Sequence, residues 1–358
     1  MKIALVAGRG IVPSAGGQGS FCRYLAEGLT RLGHDVVIIG DPRWVGFCRS
    51  LGAGYSGRVS AEALRRADVV HVNGPGRTAT AMALALRRPV VMTHQDASSL
   101  CPIGVAWTPE GCDATGGNPG PCRYCPRRGV RGLVLTRALR WLAARCTNVA
   151  VSQSLLERLR LSNGAAILSP VALQPAAGPG TDGLVAFAGR LSPEKGLGLL
   201  LRAMARVQAA RLRVAGDGPL RRECEDLAHS LGIAGRVRFH GQFSQSQVGD
   251  LYAQAAVVCA PTLCSEGFGY AAAEAMAAGR AVLASDGGAF RELLADGRGW
   301  LCPPTVETWA SALREALEDP VERQIRGKRA RAFVRAQLDP GVVAKLYESA
   351  YTLCLPRA

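Results

Sequence analysis

Two glutamates stand eight positions apart in residues 265–279, which read SEGFGYAAAEAMAAG. Glu266 precedes a turn-like Gly-Phe-Gly segment, whereas Glu274 falls inside the alanine-rich helix predicted for residues 270–278. The positive N-terminal end of a helix favours negative charge, either from a side chain or from a bound phosphate. The segment therefore predicts a site for a ligand that combines hydroxyls with phosphate. An ordinary surface helix with two solvated acids is the alternative.

Two cations form a second candidate site. Arg190 and Lys195 lie in GRLSPEKG, residues 189–196, directly after the predicted strand Leu184–Ala188. Because ligands bind beyond the carboxyl ends of parallel strands, these side chains are placed to hold a diphosphate. Of the 43 lysines and arginines only four are lysine, and the two residue types are not interchangeable at a shaped phosphate site. A solvated lysine at the start of a helix is the alternative.

The two segments resemble the strongest motifs of retaining GT-B glycosyltransferases of family 4, Glu-x-Phe-Gly-x-x-x-x-Glu-Ala-Met-Ala-x-Gly and Gly-Arg-Leu-x-x-x-Lys-Gly. The resemblance implies that Glu274 holds the nucleotide ribose and that Glu266 contacts the transferred sugar. It also implies that Arg190 and Lys195 neutralise the departing diphosphate. The further donor-binding residues that it implies are Gly189, Phe243, Gly267, Phe268, Gly269 and Tyr270.

Short apolar runs alternate with helical patterns along the whole chain, which predicts parallel sheets covered by helices. The predicted fold class is α/β, and the resemblance implies GT-B, two doubly wound Rossmann-like domains facing across a cleft. We expect an acceptor-side domain at residues 1–170, a linker at 171–183 and a nucleotide-sugar-binding domain at 184–340. Residues 341–358 are expected to form a helix that packs back onto the first domain.

The first half contributes a glycine segment and a histidine. Gly16 and Gly17 are predicted to lie in a loop before the helix Phe21–Leu32, and His94 ends a predicted strand. The resemblance implies that the two glycines approach the donor phosphate and that His94 hydrogen-bonds the donor sugar. Gln95 interrupts the His-Asp pair that such enzymes commonly have. A merely flexible turn and a capping or solvated histidine are the alternatives.

The length and net charge of the chain limit the number of domains and the kinds of partner that we expect. With 358 residues, 48% of them hydrophobic, the chain is long enough for two domains with their own cores. The net charge of +15 favours anionic partners such as nucleotide phosphates or an acidic lipid surface, and no nucleic-acid-binding motif accompanies it. Residues 131–146 interleave Leu and Trp with Arg, which predicts either peripheral contact with an anionic membrane or a helix that packs its apolar face inward.

The expected location is the cytoplasm, including the inner face of the membrane. The first apolar run is too short for a signal peptide, and no run reaches the ~18 apolar residues of a membrane span. The oligomeric state is left open.

The sequence predicts a retaining glycosyltransferase of the hexosyltransferase type, class EC 2.4. Its donor is a nucleotide-diphosphate sugar, with a UDP-sugar favoured, and its acceptor is a hydroxyl-bearing glycan, lipid-linked molecule or natural product. No catalytic cofactor is expected, since the chain lacks the acidic metal-binding motif of metal-dependent transferases. The alternatives are a nucleotide-sugar epimerase or phosphorylase and a non-enzymatic nucleotide-binding or membrane-associated scaffold.

Four cysteines generate the first testable prediction. Cys101, Cys112, Cys122 and Cys125 fall within 25 residues and suit a structural zinc site, although reduced thiols or a labile disulfide fit the spacing as well. If they bind zinc, elemental analysis of the purified protein will find about one equivalent of metal. Metal-free protein with four titratable thiols in this segment would favour the reduced state.

Overall fold

The computed structural model describes residues 1–8, 10–13, 16–99, 130–161 and 163–355, with Ser99 and residues 130–133 described by their backbone alone. The chain forms two compact units, Met1–Val171 with Gln337–Ala358, and Ala172–Ala336. The four cysteines of the predicted zinc site lie outside the described residues.

The first unit is built on a seven-stranded parallel sheet with the order β3-β2-β1-β4-β5-β6-β7. Its strands are β1 (Lys2–Gly8), β2 (Asp35–Gly40), β3 (Gly54–Ser56), β4 (Val69–Asn73), β5 (Val90–His94), β6 (Thr147–Ala150) and β7 (Gly164–Ala166). Its first six helices are α1 (Gly16–Arg31), α2 (Trp44–Leu51), α3 (Ala61–Arg65), α4 (Arg77–Ala85), α5 (Val130–Ala143) and α6 (Gln153–Leu159). Strands β4 and β5 are buried at every position, as expected of central strands covered on both faces.

The second unit has a six-stranded parallel sheet with the order β10-β9-β8-β11-β12-β13. Its strands are β8 (Leu184–Ala188), β9 (Arg211–Ala215), β10 (Val237–Phe239), β11 (Val257–Ala260), β12 (Ala281–Ser285) and β13 (Trp300–Cys302). Its helices are α7 (Leu197–Ala205), α8 (Arg221–Ser230), α9 (Gln245–Gln254), α10 (Tyr270–Ala277), α11 (Phe290–Leu293), α12 (Val306–Glu318) and α13 (Pro320–Phe333). Strand order reverses between β8 and β11, where sheets of this type bind their ligands.

The last helix, α14 (Pro340–Cys354), belongs to the first unit and packs against α1. A side chain at Gly28 of α1 would collide with the carbonyl oxygen of Pro340, so the close approach of the two helices requires glycine there. Tyr351 Oη lies 2.6 Å from His71 Nδ1, and His71 Nε2 lies 2.9 Å from Thr93 Oγ1. These buried bonds hold α14 against β4 and β5. Burial lowers the pKa of His71 to about 3, so the ring stays neutral.

The predicted α/β class is confirmed. The structure differs from the prediction at the edge strands of the sheets and at the start of helix α1. The apolar runs of the sequence do not predict β3, β7 and β13, which have three residues each and lie at the sheet edges. Helix α1 begins at Gly16 and not at Phe21, so the glycine segment is the first turn of the helix. That prediction was wrong because glycine's poor helix propensity was overridden by packing: a side chain at Gly19 would collide with the carbonyl of Val12.

Residues 172–183 lie in the second unit. Ala177 N donates to Ala278 O at 3.1 Å, and Thr181 N donates to Gln254 O at 2.8 Å. The buried guanidinium of Arg280 donates to Gly178 O at 2.5 Å. The segment is therefore tied to the second unit by backbone and side-chain hydrogen bonds.

Candidate functional site

An ion pair joins two loops at the carboxyl edge of the second sheet. Lys195 Nζ lies 2.7 Å from Glu266 Oε2, and Thr262 Oγ1 donates to the same oxygen at 3.4 Å. Lys195 follows β8 and Glu266 follows β11, the two strands between which the strand order reverses. Burial opposes the charge on Lys195, but the Glu266 carboxylate raises the pKa of its ammonium above the ordinary value. The Lys195 side chain is therefore positively charged at neutral pH, and its ion pair with Glu266 keeps it in place.

Backbone contacts fix the positions of these loops relative to each other. Gly196 adopts a φ of 68°, and a side chain there would collide with the carbonyl oxygen of Pro261 in the loop after β11. Leu263 N donates to Glu194 O at 2.8 Å, and Ala289 N donates to Glu266 O at 3.0 Å. The positions of Lys195 and Glu266 are thus set by main-chain packing of the loops after β8, β11 and β12.

Arg190 has a different environment from Lys195. Its guanidinium lies 2.8 Å from Glu194 Oε1, and its side chain is 66% exposed. Ser192 Oγ donates to the same Glu194 oxygen at 2.6 Å. Burial raises the pKa of Glu194, but the hydrogen bonds from Ser192 and Arg190 outweigh it and lower the pKa below its ordinary value. Glu194 therefore stays ionised and holds the Arg190 guanidinium in an ion pair.

Helix α10 begins directly after the glycine turn that contains Gly267. Gly269 is its N-cap, and its first internal backbone bond runs from Ala273 N to Gly269 O at 3.1 Å. The amides of the first turn therefore point out of the helix at the edge that carries Glu266. Phe268 is buried and packs edge-to-face on Tyr270 with ring centroids 4.9 Å apart, which anchors the turn.

Glu274 lies in the second turn of α10, half-buried, and its charge contributes to the raised pKa of the buried Tyr252 hydroxyl, after burial itself. Phe243 lies after β10, with its ring centroid 5.2 Å from that of His240. Together with Gln247 and Asp250, these two rings line a pocket of 170 Å³. Gly189 directly follows β8 and donates its N–H to Ala215 O at 3.0 Å. The structure thus distributes the predicted donor-binding residues of the second unit over the carboxyl edge of its sheet, whereas Gly16 and Gly17 lie in the first unit.

In the first unit, His94 ends β5 and is 4% exposed. Its Nε2 lies 2.9 Å from Oδ1 of Asn148 on the neighbouring strand β6. Burial lowers the pKa of His94 below its ordinary value, so the ring is neutral at neutral pH. Asp96 accepts a bond from Ser98 N at 2.8 Å, so it caps the turn that follows β5.

Gly16 and Gly17 open α1, on the strand-to-helix connection after β1. The side chain of Gln18 lies close to Gly74, which follows β4. Strand order in this sheet reverses between β1 and β4, so the glycine turn stands at the switch point of the first sheet.

Sequence reasoning missed the polar side chains that support His94. Asn148 precedes Val149 and Ala150 in the strand Thr147–Ala150, and Asn73 Oδ1 accepts a bond from Gln95 Nε2 at 2.8 Å. An amide inside a buried strand was the available signal, because such a group needs a hydrogen-bond partner. Within the described ranges, no three His, Cys, Asp or Glu side chains gather as metal ligands would.

Two family models match the chain and together span most of it. Residues 15–166 match the model described as Glycosyltransferase Family 4, and residues 173–333 match that described as Glycosyl transferases group 1.

Curated relatives match a smaller part. D-inositol 3-phosphate glycosyltransferase of Mycobacteroides abscessus is 38% identical over 143 residues, which cover 37% of this chain and 32% of that protein. Phosphatidyl-myo-inositol mannosyltransferase of Mycolicibacterium smegmatis is 41% identical over 143 residues, covering 38% of this chain and 36% of that protein. The chain therefore spans about a third of the length of these relatives.

Solved structures match over nearly the whole chain. Sucrose-phosphate synthase from Thermosynechococcus elongatus gives a TM-score of 0.76 at 21% identity, covering 98% of each chain. Anabaena HepE in complex with UDP and glucose gives 0.78 at 18% identity, covering 99% of this chain and 100% of that one. The likeness establishes the GT-B fold.

Arg190 and Lys195 lie in different environments, and this difference leads to a testable prediction. If each charge serves a leaving diphosphate, as the sequence predicts, replacing Arg190 or Lys195 by Ala will lower the turnover of sugar transfer about 100-fold. Arg190→Ala should change the free energy of unfolding by less than about 0.5 kcal/mol because the side chain is exposed. Lys195→Ala should lower it by about 1 kcal/mol, because Glu266 loses its cation.

Chemical denaturation and steady-state kinetics measure the two effects. Arg206→Ala is the matched control, since Arg206, directly after α7, makes a comparable exposed ion pair at 2.8 Å with Glu307 of α12, outside these loops. Normal turnover in both site variants would contradict the phosphate assignment.

Proposed function

Because this chain belongs to glycosyltransferase family 4, the group 1 glycosyl transferases, and has the GT-B fold, we propose that it transfers a sugar from a nucleotide-diphosphate sugar to an acceptor hydroxyl. The proposed transfer retains the configuration at the anomeric carbon. The observation that carries the proposal is the Lys195–Glu266 pair at the switch point of the second sheet, next to the N-terminus of α10. A cation, a carboxylate and a set of helix amides within one loop cluster match a diphosphate joined to a polyhydroxylated sugar.

The proposed chemistry depends on stabilising the leaving group. Breaking the sugar–phosphate bond places negative charge on the departing diphosphate, and Lys195, Arg190 and the α10 amides oppose that charge. As the diphosphate approaches Lys195, Glu266 becomes available to accept bonds from sugar hydroxyls. Glu274, further along α10, is assigned to the ribose.

We assign UDP as the nucleotide of the donor. Support comes from Anabaena HepE, which was solved with UDP and with UDP-glucose. The pocket beside Phe243 supplies an aromatic wall suited to a flat base. The acceptor proposed is a hydroxyl on a glycan, a lipid-linked molecule or a natural product.

The two glutamates test the assignment. Glu274→Ala should weaken binding of UDP and of UDP-glucose alike, by about 10-fold or more, since a hydrogen bond to a charged group contributes about 1.5–3 kcal/mol. Glu266→Ala should leave UDP affinity unchanged or stronger, because Lys195 loses its internal partner. Its turnover should fall about 100-fold, since contacts strengthened in the transition state raise turnover.

Calorimetry with UDP, set against turnover of UDP-glucose, separates the two roles, with Glu307→Ala as the control at an exposed residue of α12. Equal loss of UDP binding in both site variants would contradict the division of roles. If the wild-type protein bound no nucleoside diphosphate, the proposed function itself would be wrong.

We further propose that an anionic membrane surface is a partner of the first unit. Helix α5 packs Leu139 and Leu142 inward, so the inward-packing interpretation holds for that face. Its outer face nevertheless exposes Trp141 by 58% and Val134 by 56%. The guanidinium of Arg145 stacks 3.6 Å from the centroid of the Trp141 ring. An exposed aromatic beside arginines is suited to the headgroup region of a bilayer.

The charge of this surface favours acidic lipids. Arg137 is exposed on the same face, and the neighbouring helix α4 is followed by Arg87 and Arg88. Neither residues 77–88 nor residues 130–146 contain an acid. None of the described helices is both long and apolar enough to cross a membrane. The proposed contact is therefore peripheral and electrostatic.

Vesicle sedimentation tests the membrane contact. The protein should bind vesicles that contain phosphatidylglycerol, bind pure phosphatidylcholine weakly, and dissociate at high salt. Arg137→Gln with Arg145→Gln should lower partitioning about thirtyfold, since each basic residue near an acidic surface contributes about 1 kcal/mol. Leu353→Ala, at a more exposed apolar residue of the same unit, is the control. Binding unaffected by the arginine substitutions would contradict the proposal.

A further inference from the structure

A cavity of about 370 Å³ lies in the second unit where the strands β8, β9 and β10 begin. Lys195 follows β8 and Glu266 follows β11, so the cavity is at the opposite edge of the sheet from the proposed donor site. Its volume is within the range of small-molecule sites. None of the described residues that line it is an acid, and four are arginines: Arg211, Arg213, Arg236 and Arg238.

Strand geometry brings three of these arginines to one face of the sheet. Arg211 and Arg213 are two positions apart on β9, so their side chains leave the same face. Arg238 of β10 is the register partner of Arg213 and shares that face. The alternate residues Leu212 and Val237 belong to the hydrophobic core on the other face. Strands β9 and β10 therefore have one apolar face and one basic face.

The hydrogen-bond partners of the arginines are neutral oxygens. Arg236 Nη1 donates to three backbone carbonyls of the connection between α7 and β9, at 2.9–3.1 Å. Arg211 Nη2 donates to Asp182 O at 2.9 Å, and Arg213 Nη1 donates to Gln254 Oε1 at 2.6 Å. Arg236 is thus committed to the backbone, whereas Arg211 and Arg213 each keep most of their N–H groups for another acceptor.

The positive charge at the cavity has no carboxylate partner among the described residues. The carboxylate of Asp182 pairs with Arg323 at 2.9 Å, and Asp250 of α9 lines the adjoining pocket of 170 Å³. The side chain of the exposed Arg238 makes neither a hydrogen bond nor an ion pair with any described residue. Like charges gathered in this way repel one another, and a bound anion would relieve the repulsion.

The imidazole of His240, which follows β10, senses this positive potential. Burial lowers its pKa, and the charges of Arg213 and Arg238 lower it further. An anion bound between the arginines would oppose that effect, so His240 can serve as a local probe of binding.

We propose that Arg211, Arg213 and Arg238 form a second anion-binding site, which takes a compact ligand with two or more linked phosphates. A guanidinium fork matches two phosphate oxygens at once, and linked phosphates bring several such oxygens within reach of neighbouring arginines. The recess admits a compact anion, whereas the flat surface of a bilayer cannot enter it. Linked phosphates can come from a free inorganic anion or from a nucleotide.

Calorimetry with inorganic pyrophosphate at constant ionic strength tests the site. Arg211→Gln with Arg238→Gln should weaken binding about 100-fold, since each guanidinium supplies charged hydrogen bonds that contribute about tenfold or more. Arg222→Gln with Arg314→Gln is the matched control, because it removes the same charge from exposed positions of α8 and α12 outside the cavity. Equal losses in both double variants would show a general charge effect and overturn the inference.

Lys195→Ala separates this site from the proposed donor site, which also attracts a diphosphate. Binding at Arg211 and Arg238 should persist in the Lys195→Ala protein. Pyrophosphate binding that is lost with Lys195→Ala, but not with the arginine substitutions, would place the anion at the carboxyl edge and overturn the inference. A wild-type protein that bound no UDP would contradict the proposed function alone, since the pyrophosphate titration does not depend on it.

The pKa of His240 checks where the anion binds. The chain has five histidines, and His240→Gln identifies the signal of His240 in spectra of the full-length protein. Pyrophosphate should raise the pKa of His240 in the Lys195→Ala protein, because the anion offsets the charges of Arg213 and Arg238. An unchanged pKa at saturating pyrophosphate would contradict the proposed location.

Two further titrations define the ligand class. Orthophosphate should bind at least about tenfold more weakly than pyrophosphate, because a single phosphate reaches fewer guanidiniums. Tighter binding of ATP than of pyrophosphate to the Lys195→Ala protein would identify a nucleotide as the source of the phosphates, and equal binding would identify a free anion. Orthophosphate that bound as tightly as pyrophosphate, or no binding of either pyrophosphate or ATP, would overturn the proposal.

Discussion

The adjacency of β8 and β11 is the constraint on which the proposed donor site depends. These strands are far apart in the chain but neighbours in the sheet, because the strand order reverses between them. The reversal lets the loop carrying Lys195 meet the loop carrying Glu266 at 2.7 Å. Gly196 permits the loops to touch backbone to backbone, so the ion pair is held by rigid main chain and not by flexible side chains alone.

The structure also separates two cations that the motif presents as equals. Lys195 is largely enclosed and has its charge held by Glu266, whereas Arg190 is mostly exposed and tethered through Glu194. Because Glu266 already fixes the position of the Lys195 ammonium, this group needs little rearrangement when negative charge develops nearby. Such preorganisation is the basis of electrostatic stabilisation.

In the first unit, buried polar networks support the residues at the end of β5. Tyr351, His71 and Thr93 connect α14 to the strand, and Asn148 holds His94 from the neighbouring strand. Such bonds are strong inside a protein, and an unpaired member would be costly, so a satisfied network specifies one arrangement. The C-terminal helix thereby reaches the residue that precedes His94.

The sequence by itself determined the fold class, most strands and the two donor motifs, because apolar periodicity and motif spacing are local properties of the chain. The sequence pattern did not predict short edge strands such as Gly54–Ser56, since three residues carry too little apolar periodicity. The start of α1 at Gly16 was decided by packing of Gly19 against Val12. Only the tertiary structure paired Lys195 with Glu266 and Asn148 with His94, because these contacts join residues 71 and 54 positions apart through strand order.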